Sequence, residues 1–306
     1  MTLLQKSQQK LQNEQLKQTG PLICIVGQTA SGKSALAMQL AKHYDGEIVC
    51  ADSRTMYRKM DIGTAKPSNA DRKIVRHHLL DIVDPSERVS AHSFVQLAKK
   101  AIKAAWRRNK VPIVVGGSGL YIDALLFDYA FRSTLDTVEN DVDSGLDLMQ
   151  LQAEVRARYR DGVSQEDFRN PRRLAQILKR GLASDQDRHD IKYDCLIIGL
   201  EVEAETLRAR ITARTYQMLE AGLKEEVISI RDEYGEHAPG LQSTGYREML
   251  QSSDEATIAQ RINAATWQLA RKQRTWFRRN PYIRWCQSED EAHTLVATYL
   301  AQSPLQ

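Results

Sequence analysis

At 306 residues, with 42% hydrophobic and 27% charged positions, the chain has the composition of a globular protein of one large or two modest domains. A formal charge of only +4 excludes an argument for nucleic acid from net charge, so such a partner has to be read from where basic residues cluster. No run of about 18 apolar residues offers a membrane span, and Cys24, Cys50, Cys195 and Cys286 stand far apart without C-x-x-C or zinc-finger spacing, which points to a reducing, cytoplasmic setting.

Residues 1–19 are rich in Gln and Lys, lack an apolar run of signal-peptide length, and read as a flexible N-terminal extension. From 20 to 129 short apolar runs alternate with helical periods. Strands are predicted at 22–26, 47–51, 79–83 and 112–115, and helices at 34–43 and 91–109. That alternation predicts a doubly wound α/β fold, a parallel sheet flanked by helices, and the G-x-x-x-x-G-K-[ST] turn at 27–34 makes it P-loop NTPase-like. Between 130 and 190 strand character disappears and apolar residues recur at helical spacing through 146–158 and 172–182, which predicts an inserted all-helical subdomain. From 191 to 306 the core resumes, with strands at 193–202 and 282–286 and helices at 203–221, 223–234 and 254–279.

The turn after the first strand reads Gly27-Gln28-Thr29-Ala30-Ser31-Gly32-Lys33-Ser34 and fits G-x-x-x-x-G-K-[ST]. Its glycines permit a tight path in which successive N–H groups point at phosphate oxygens, and the following helix adds the positive end of its dipole. Lys33 supplies a full charge, and the Ser34 hydroxyl is the candidate ligand for Mg²⁺.

Asp52 follows the second predicted strand and should project from its carboxyl end, where open α/β sheets place their ligands. An Asp-Ser pair there could equally close an Asx-turn. Asp81 is a rival carboxylate for metal work, and spacing does not rank the two. On the last long helix Arg271, Arg274 and Arg278 share a face, flanked by Lys272, Trp276, Phe277 and Arg279. Such a strip suits RNA phosphates and an unpaired base, although a solvated basic face backed by core aromatics has the same pattern.

Several segments together resemble the tRNA dimethylallyltransferases. They are Asp52-Ser53-Arg54 with Tyr57-Arg58, Met60-Asp61-Ile62-Gly63-Thr64-Ala65-Lys66-Pro67, His77-His78-Leu79-Leu80-Asp81 and Gly116-Gly117-Ser118-Gly119-Leu120-Tyr121. The resemblance continues through Asn170-Pro171-Arg172-Arg173-Leu174, Gly199-Leu200-Glu201-Val202 with Arg210 and Arg214, Gly245-Tyr246-Arg247-Glu248, and Gln268 to Arg279. It implies that residues 27–34 and Arg214 hold the diphosphate of dimethylallyl diphosphate, with Mg²⁺ assisting. It implies further that Asp52 is the catalytic base, with Ser118 matching a catalytic Thr. The tRNA anticodon stem-loop would be met by Asp52, Ser53, Arg54, Thr55, Arg172, Arg173, Gln176, Gly245, Tyr246, Arg247, Arg271, Lys272, Arg274 and Arg278. The chain departs from the family at Gln28 (usually Pro), Thr55 (often Gln), Gln176, Lys179 and Trp267, mostly on the expected RNA side, and segment 133–145 matches poorly.

The implied reaction moves a dimethylallyl group to N6 of the adenosine 3′ of the anticodon and releases diphosphate, in a monomer acting in the cytoplasm. The target base would swing out into a channel between core and insertion. Three other readings remain at this stage: a P-loop nucleotide or small-molecule kinase, a prenyltransferase for free adenine nucleotides, and a non-catalytic RNA-binding module.

Overall fold

The computed structural model describes residues 20–127, 146–159, 163, 165–180, 191–252, 254–303 and 305. The described residues fall into two compact units, divided at 126/127 and at 190/191. The expected extension over 1–19 and segment 133–145 lie outside the described residues.

The larger unit is built on a six-stranded parallel sheet: β1 (Leu22–Gly27), β2 (Gly46–Cys50), β3 (His77–His78), β4 (Val111–Gly116), β5 (Cys195–Leu200) and β6 (Ile283–Cys286). Their order is β3-β2-β4-β1-β5-β6, so β1 lies inside the sheet between β4 and β5. A strand covered on both faces has no polar side to alternate with, and every residue of β1 is buried. Because β1 leads through helix α1 (Lys33–His43) to a strand two places away, a crevice opens at its carboxyl end. The phosphate-loop sequence sits there.

Helix α3 (Ala91–Arg107) shows why this layer forms. Ser90 caps its first turn by accepting from the Ser93 N–H, and Phe94, Val95, Ala98, Ala101, Ile102 and Ala105 make one buried face. Two strips of core follow: one joins β1, β2, β4 and α1, and the other joins Tyr57 and Met60 to helix α9 (Leu223–Tyr234), helix α10 (Tyr246–Leu250) and the start of helix α11 (Glu255–Phe277). The remaining helices of this unit are α2 (Asn69–Ile74), α4 (Gly119–Leu126), α8 (Ala204–Glu220) and α12 (Glu289–Gln302). The smaller unit holds α5 (Leu148–Arg158), α6 (Gln165–Phe168) and α7 (Pro171–Arg180) around Leu151, Val155, Leu174, Ala175 and Ile177. A reciprocal capping box between Asp147 and Gln150 starts α5.

The strand expected over 79–83 needs correction. β3 ends at His78, and Leu79 and Asp81 take left-handed backbone angles of φ 66° and 55°. The segment pairs instead with the loop at 55–58, through Ile82 N–H to the Met56 carbonyl at 2.8 Å and Arg58 N–H to the Val83 carbonyl at 2.8 Å. The reason is electrostatic: the Asp81 carboxylate is held by Lys66 Nζ at 2.5 Å and by Arg72 Nη1 at 2.6 Å, which turns the chain out of the sheet.

Candidate active site at the carboxyl end of the sheet

The loop from Gly27 to Gly32 turns through left-handed Ala30 (φ 61°) and Gly32 (φ 95°), and α1 then starts without any side-chain cap. An uncapped start leaves the first N–H groups of a helix free to receive an anion. Lys33 folds back so that Nζ donates to the Gln28 carbonyl at 2.8 Å. Burial lowers its pKa to about 8, a shift that the charge of Asp52 opposes and that of Arg214 reinforces. The Ser31 hydroxyl is buried without a hydrogen-bond partner. Ser34 is exposed at the helix start.

Two arginines of α8 reach the same place. Arg210 Nη1 donates to the Ser31 carbonyl at 3.3 Å, and Arg214 Nη2 donates to the Thr64 carbonyl at 3.3 Å. Arg214 Nε is buried and unpartnered, and burial lowers the guanidinium pKa against the pull of Asp52. Each orphaned buried donor costs about 1–3 kcal/mol, so the free protein carries donors that an oxyanion would satisfy. The charge of Asp52 acts on both Lys33 and Arg214, and Arg210 adds a further cation at the loop.

Asp52 sits on the first residues beyond β2. Its Oδ1 accepts from the Arg54 N–H at 2.9 Å, which is the Asx-turn of the plainer reading, while Oδ2 has no partner among the described residues. The Asx-turn thus occupies one oxygen and leaves the other open. The Ser118 hydroxyl accepts from the Ser53 N–H at 3.3 Å, so the turn after β4 meets the loop after β2 beside Asp52. Arg54 is exposed and Thr55 donates to the Asp52 carbonyl at 3.2 Å. Asp81, the rival carboxylate, is paired with both Lys66 and Arg72.

Helix α11 contributes more than a basic face. Gln273 Oε1 accepts from the Thr29 N–H at 2.7 Å and Nε2 donates to the Gly117 carbonyl at 3.1 Å. Gln28 Nε2 donates to the Ala270 carbonyl at 3.1 Å. Trp276 Nε1 donates to Asp123 at 2.8 Å, and Gly119 makes room for the indole, since a Cβ there would lie 2.2 Å from Trp276 Cδ1. In the expected strip only Phe277 is buried; Arg274 and Arg278 both pair with Glu201 and remain about half exposed. Arg271 and Lys272 are exposed. Trp267, a departure from the family pattern, stacks under the Arg208 guanidinium at 4.2 Å.

Of the segment expected to meet RNA, the Tyr246 side chain is fully buried and donates to Glu226 Oε1 at 2.6 Å, while a Cβ built on Gly245 (φ 97°) would meet nothing within 4 Å. Arg247 is half exposed and pairs with Glu248 at 2.5 Å. Glu226 in turn accepts from the N–H groups of Asp61, Ile62 and Gly63. The Asp61–Pro67 stretch is thus held from below and presents the Thr64 carbonyl to Arg214. Arg172, Arg173 and Gln176 fall on α7, and their side chains lie outside the described residues.

Comparison with known proteins bears on the whole arrangement. The profile of the IPP transferase family matches residues 55–280. The tRNA dimethylallyltransferase 1 of Syntrophotalea carbinolica is 37% identical over 291 residues, covering 89% of this chain and 92% of the relative. The tRNA dimethylallyltransferase of Pseudarthrobacter chlorophenolicus is 37% identical over 286 residues, covering 89% and 95%. Among solved structures, the tRNA isopentenylpyrophosphate transferase of Bacillus halodurans superposes with a TM-score of 0.72 at 29% identity, over 93% of this chain and 98% of that one.

Proposed function

The chain belongs to the IPP transferase family, the tRNA dimethylallyltransferases, and from that premise we propose how its residues divide the transfer of a prenyl group to tRNA. It is a tRNA prenyltransferase. The donor is dimethylallyl diphosphate. The acceptor is N6 of the adenosine 3′ of the anticodon, in a tRNA engaged through its anticodon stem-loop.

The observation that carries this division is the pairing of orphaned buried donors, Ser31 Oγ and Arg214 Nε, with a carboxylate whose second oxygen is free, Asp52 Oδ2. The donors await an oxyanion. The carboxylate awaits a proton. N6 attacks the allylic carbon, the carbon–oxygen bond breaks, and its electron pair leaves with the diphosphate. The growing negative charge is met by the loop N–H groups, Lys33, Arg210 and Arg214. Asp52 takes the N6 proton and holds the amine in line, and Ser118 fixes the loop that carries Asp52. Adenine must leave its stack to bring N6 this far into a protein. Arg54, Arg271 and Lys272, all exposed, are placed to meet RNA phosphates.

Among the described residues no three His, Cys, Asp or Glu side chains gather to hold a metal. The exposed Ser34 hydroxyl, a hard oxygen at the start of α1, would be the protein ligand of a Mg²⁺, and the ion would supply positive charge to the leaving diphosphate. No helix among the described residues is long and apolar enough to cross a membrane, and all four cysteines are free. We place the enzyme in the cytoplasm as a monomer.

The test is direct. Unmodified tRNA is incubated with the protein, dimethylallyl diphosphate and Mg²⁺, then digested and its nucleosides weighed. A gain of one C₅H₈ unit on adenosine supports the assignment. Phosphorylated product from ATP, with no such gain, would replace it by a kinase.

A further inference from the structure

Gln273 is 244 residues from Thr29 in sequence, yet its side-chain amide sits between the two loops that flank the reaction. The neighbours fix which end of the amide faces which loop: a backbone N–H can only donate and a carbonyl can only accept, so Oε1 must face Thr29 and Nε2 must face Gly117. On one side the amide holds the phosphate loop. On the other it holds the turn whose next residue, Ser118, accepts from the Ser53 N–H beside Asp52. Three hydrogen bonds joined by the backbone steps Gly117–Ser118 and Asp52–Ser53 therefore connect the phosphate loop to the residue that carries the proton acceptor, and Gln273 makes two of the three.

We propose that Gln273 is a positioning residue that sets the distance between the leaving diphosphate and the attacking amine, coupling the phosphate loop to the Gly116–Gly119 turn. This rests on the prenyl-transfer reading and adds to it a residue that touches neither reactant. The chemistry explains why such a link is needed. Donor and acceptor are bound by different loops, and in-line attack demands that the two be held in register. A displacement of about 1 Å costs on the order of 10²-fold in rate. The helix carrying Gln273 is itself fixed on both sides of that residue, by Gln28 to the Ala270 carbonyl and by Trp276 to Asp123, so the amide is a rigid spacer. Leucine at 273 would keep the bulk and lose both bonds.

The alternative is that the amide merely satisfies two backbone groups and stabilises the fold. Single-turnover prenylation, pyrophosphate binding, tRNA binding without donor, and the melting temperature separate the two. For Gln273→Leu we expect the rate constant to fall about 30- to 100-fold, with both binding constants within about threefold of wild type. Gly117→Ala gives an independent check if the first variant folds poorly. A Cβ there would lie 2.3 Å from Gln273 Nε2 and displace the amide from the opposite side, so the same fall in rate is expected. Combining Gln273→Leu with Ser118→Ala should cost less than the product of the single effects, because Gln273 acts through the turn that carries Ser118. An unchanged rate with a lower melting temperature overturns the proposal. So does a loss confined to donor KM, or strictly multiplicative effects in the double variant. An inactive wild-type chain would overturn the prenyl-transfer reading together with this one, whereas an active wild type with unaltered Gln273 variants overturns this one alone.

Discussion

Two regions of the larger unit carry dense polar motifs and treat them in opposite ways. In the phosphate loop and its surroundings, Ser31 Oγ and Arg214 Nε are buried without partners, and Lys33 reaches only a carbonyl of its own loop. In the Asp61–Pro67 stretch the bonding is filled: Glu226 takes three N–H groups and the Tyr246 hydroxyl, while Lys66 takes Asp61, Asp81 and the Tyr57 carbonyl. Folding ordinarily satisfies buried polar groups. A region that leaves them open is built for a ligand, and one that closes them is built to hold shape. Asp52, with one oxygen open, falls on the first side of that contrast and Asp81, paired with Lys66 and Arg72, on the second, which is the division of roles proposed above.

The strongest way to break that contrast is to remove the free carboxylate oxygen. Asp52→Asn keeps an acceptor for the Arg54 N–H, so the turn should survive. The single-turnover rate should nevertheless fall by about 10²–10⁴, with pyrophosphate affinity nearly unchanged by calorimetry. A near-neutral Asn variant would mean that the Asx-turn is the whole role of this residue.

The frame should respond in the opposite sense. The Lys66 side chain is 1% exposed, and Lys66→Met leaves Asp61 and the Tyr57 carbonyl without their cation and Asp81 with Arg72 alone. Because Asp61 is 61% and Asp81 32% exposed, water screens what is left behind, and the loss is set mainly by the unpaired Tyr57 carbonyl, about 1–3 kcal/mol. Urea unfolding should show a loss of that order, with the rate per folded molecule within a few-fold of wild type. An intact midpoint with a lost rate would place Lys66 in the site instead.

Acid offers a second probe of the frame, and alkali a second probe of the site. Burial alone would raise the Glu47 pKa, but hydrogen bonds from Arg108 and His78, and their charges, bring it down to about 2 from 4.5. A depressed carboxyl stabilises the fold above its unfolded pKa and loses that contribution as pH falls through its folded one. Up to about 3 kcal/mol should thus disappear between pH 4.5 and 2, and Glu47→Gln should flatten that part of the stability profile. Lys33 works the other way. With its pKa lowered to about 8, the ammonium loses its proton above that value, and an incoming diphosphate needs it charged. Pyrophosphate affinity should weaken as pH rises through 8, approaching about tenfold per unit well above it, with proton uptake measurable by calorimetry in buffers of different ionisation heat. Lys33→Arg should abolish that slope.

How far these regions could be read from the sequence follows from how local their physics is. The phosphate loop was legible because a strand, two glycines and a lysine fix a backbone path within eight residues. Asp52 was legible because residues just past a strand end fall where parallel sheets open. The 79–83 stretch was not, since its apolar pattern suits a strand and only the burial of Lys66, more than a dozen residues earlier, turns it outward. The burial of the Tyr246 side chain is not legible for the same reason: nothing beside it in the chain announces that Glu226 lies beneath it. Gln273 has no local signal either, because its two partners stand 244 and 156 residues away. Short helices such as α2 and α10 offer too few turns for a periodic signal.

The finest test of the contrast sits at Gln28, where relatives usually carry proline. Its backbone belongs to the open region and its side chain to the closed one: the carbonyl receives Lys33 Nζ, while the buried amide donates to the Ala270 carbonyl. Gln28→Leu should cost about 0.5–1.5 kcal/mol of stability, the net worth of one neutral hydrogen bond, because the Ala270 carbonyl is a helical acceptor and loses only an extra donor. Since Gln273 still ties the loop to the same helix, the prenylation rate should stay within about twofold in a single-turnover assay. A fall comparable to that expected for Gln273→Leu would show that the stitch at Gln28 also sets the reacting distance, and the border between frame and site would move one residue into the loop.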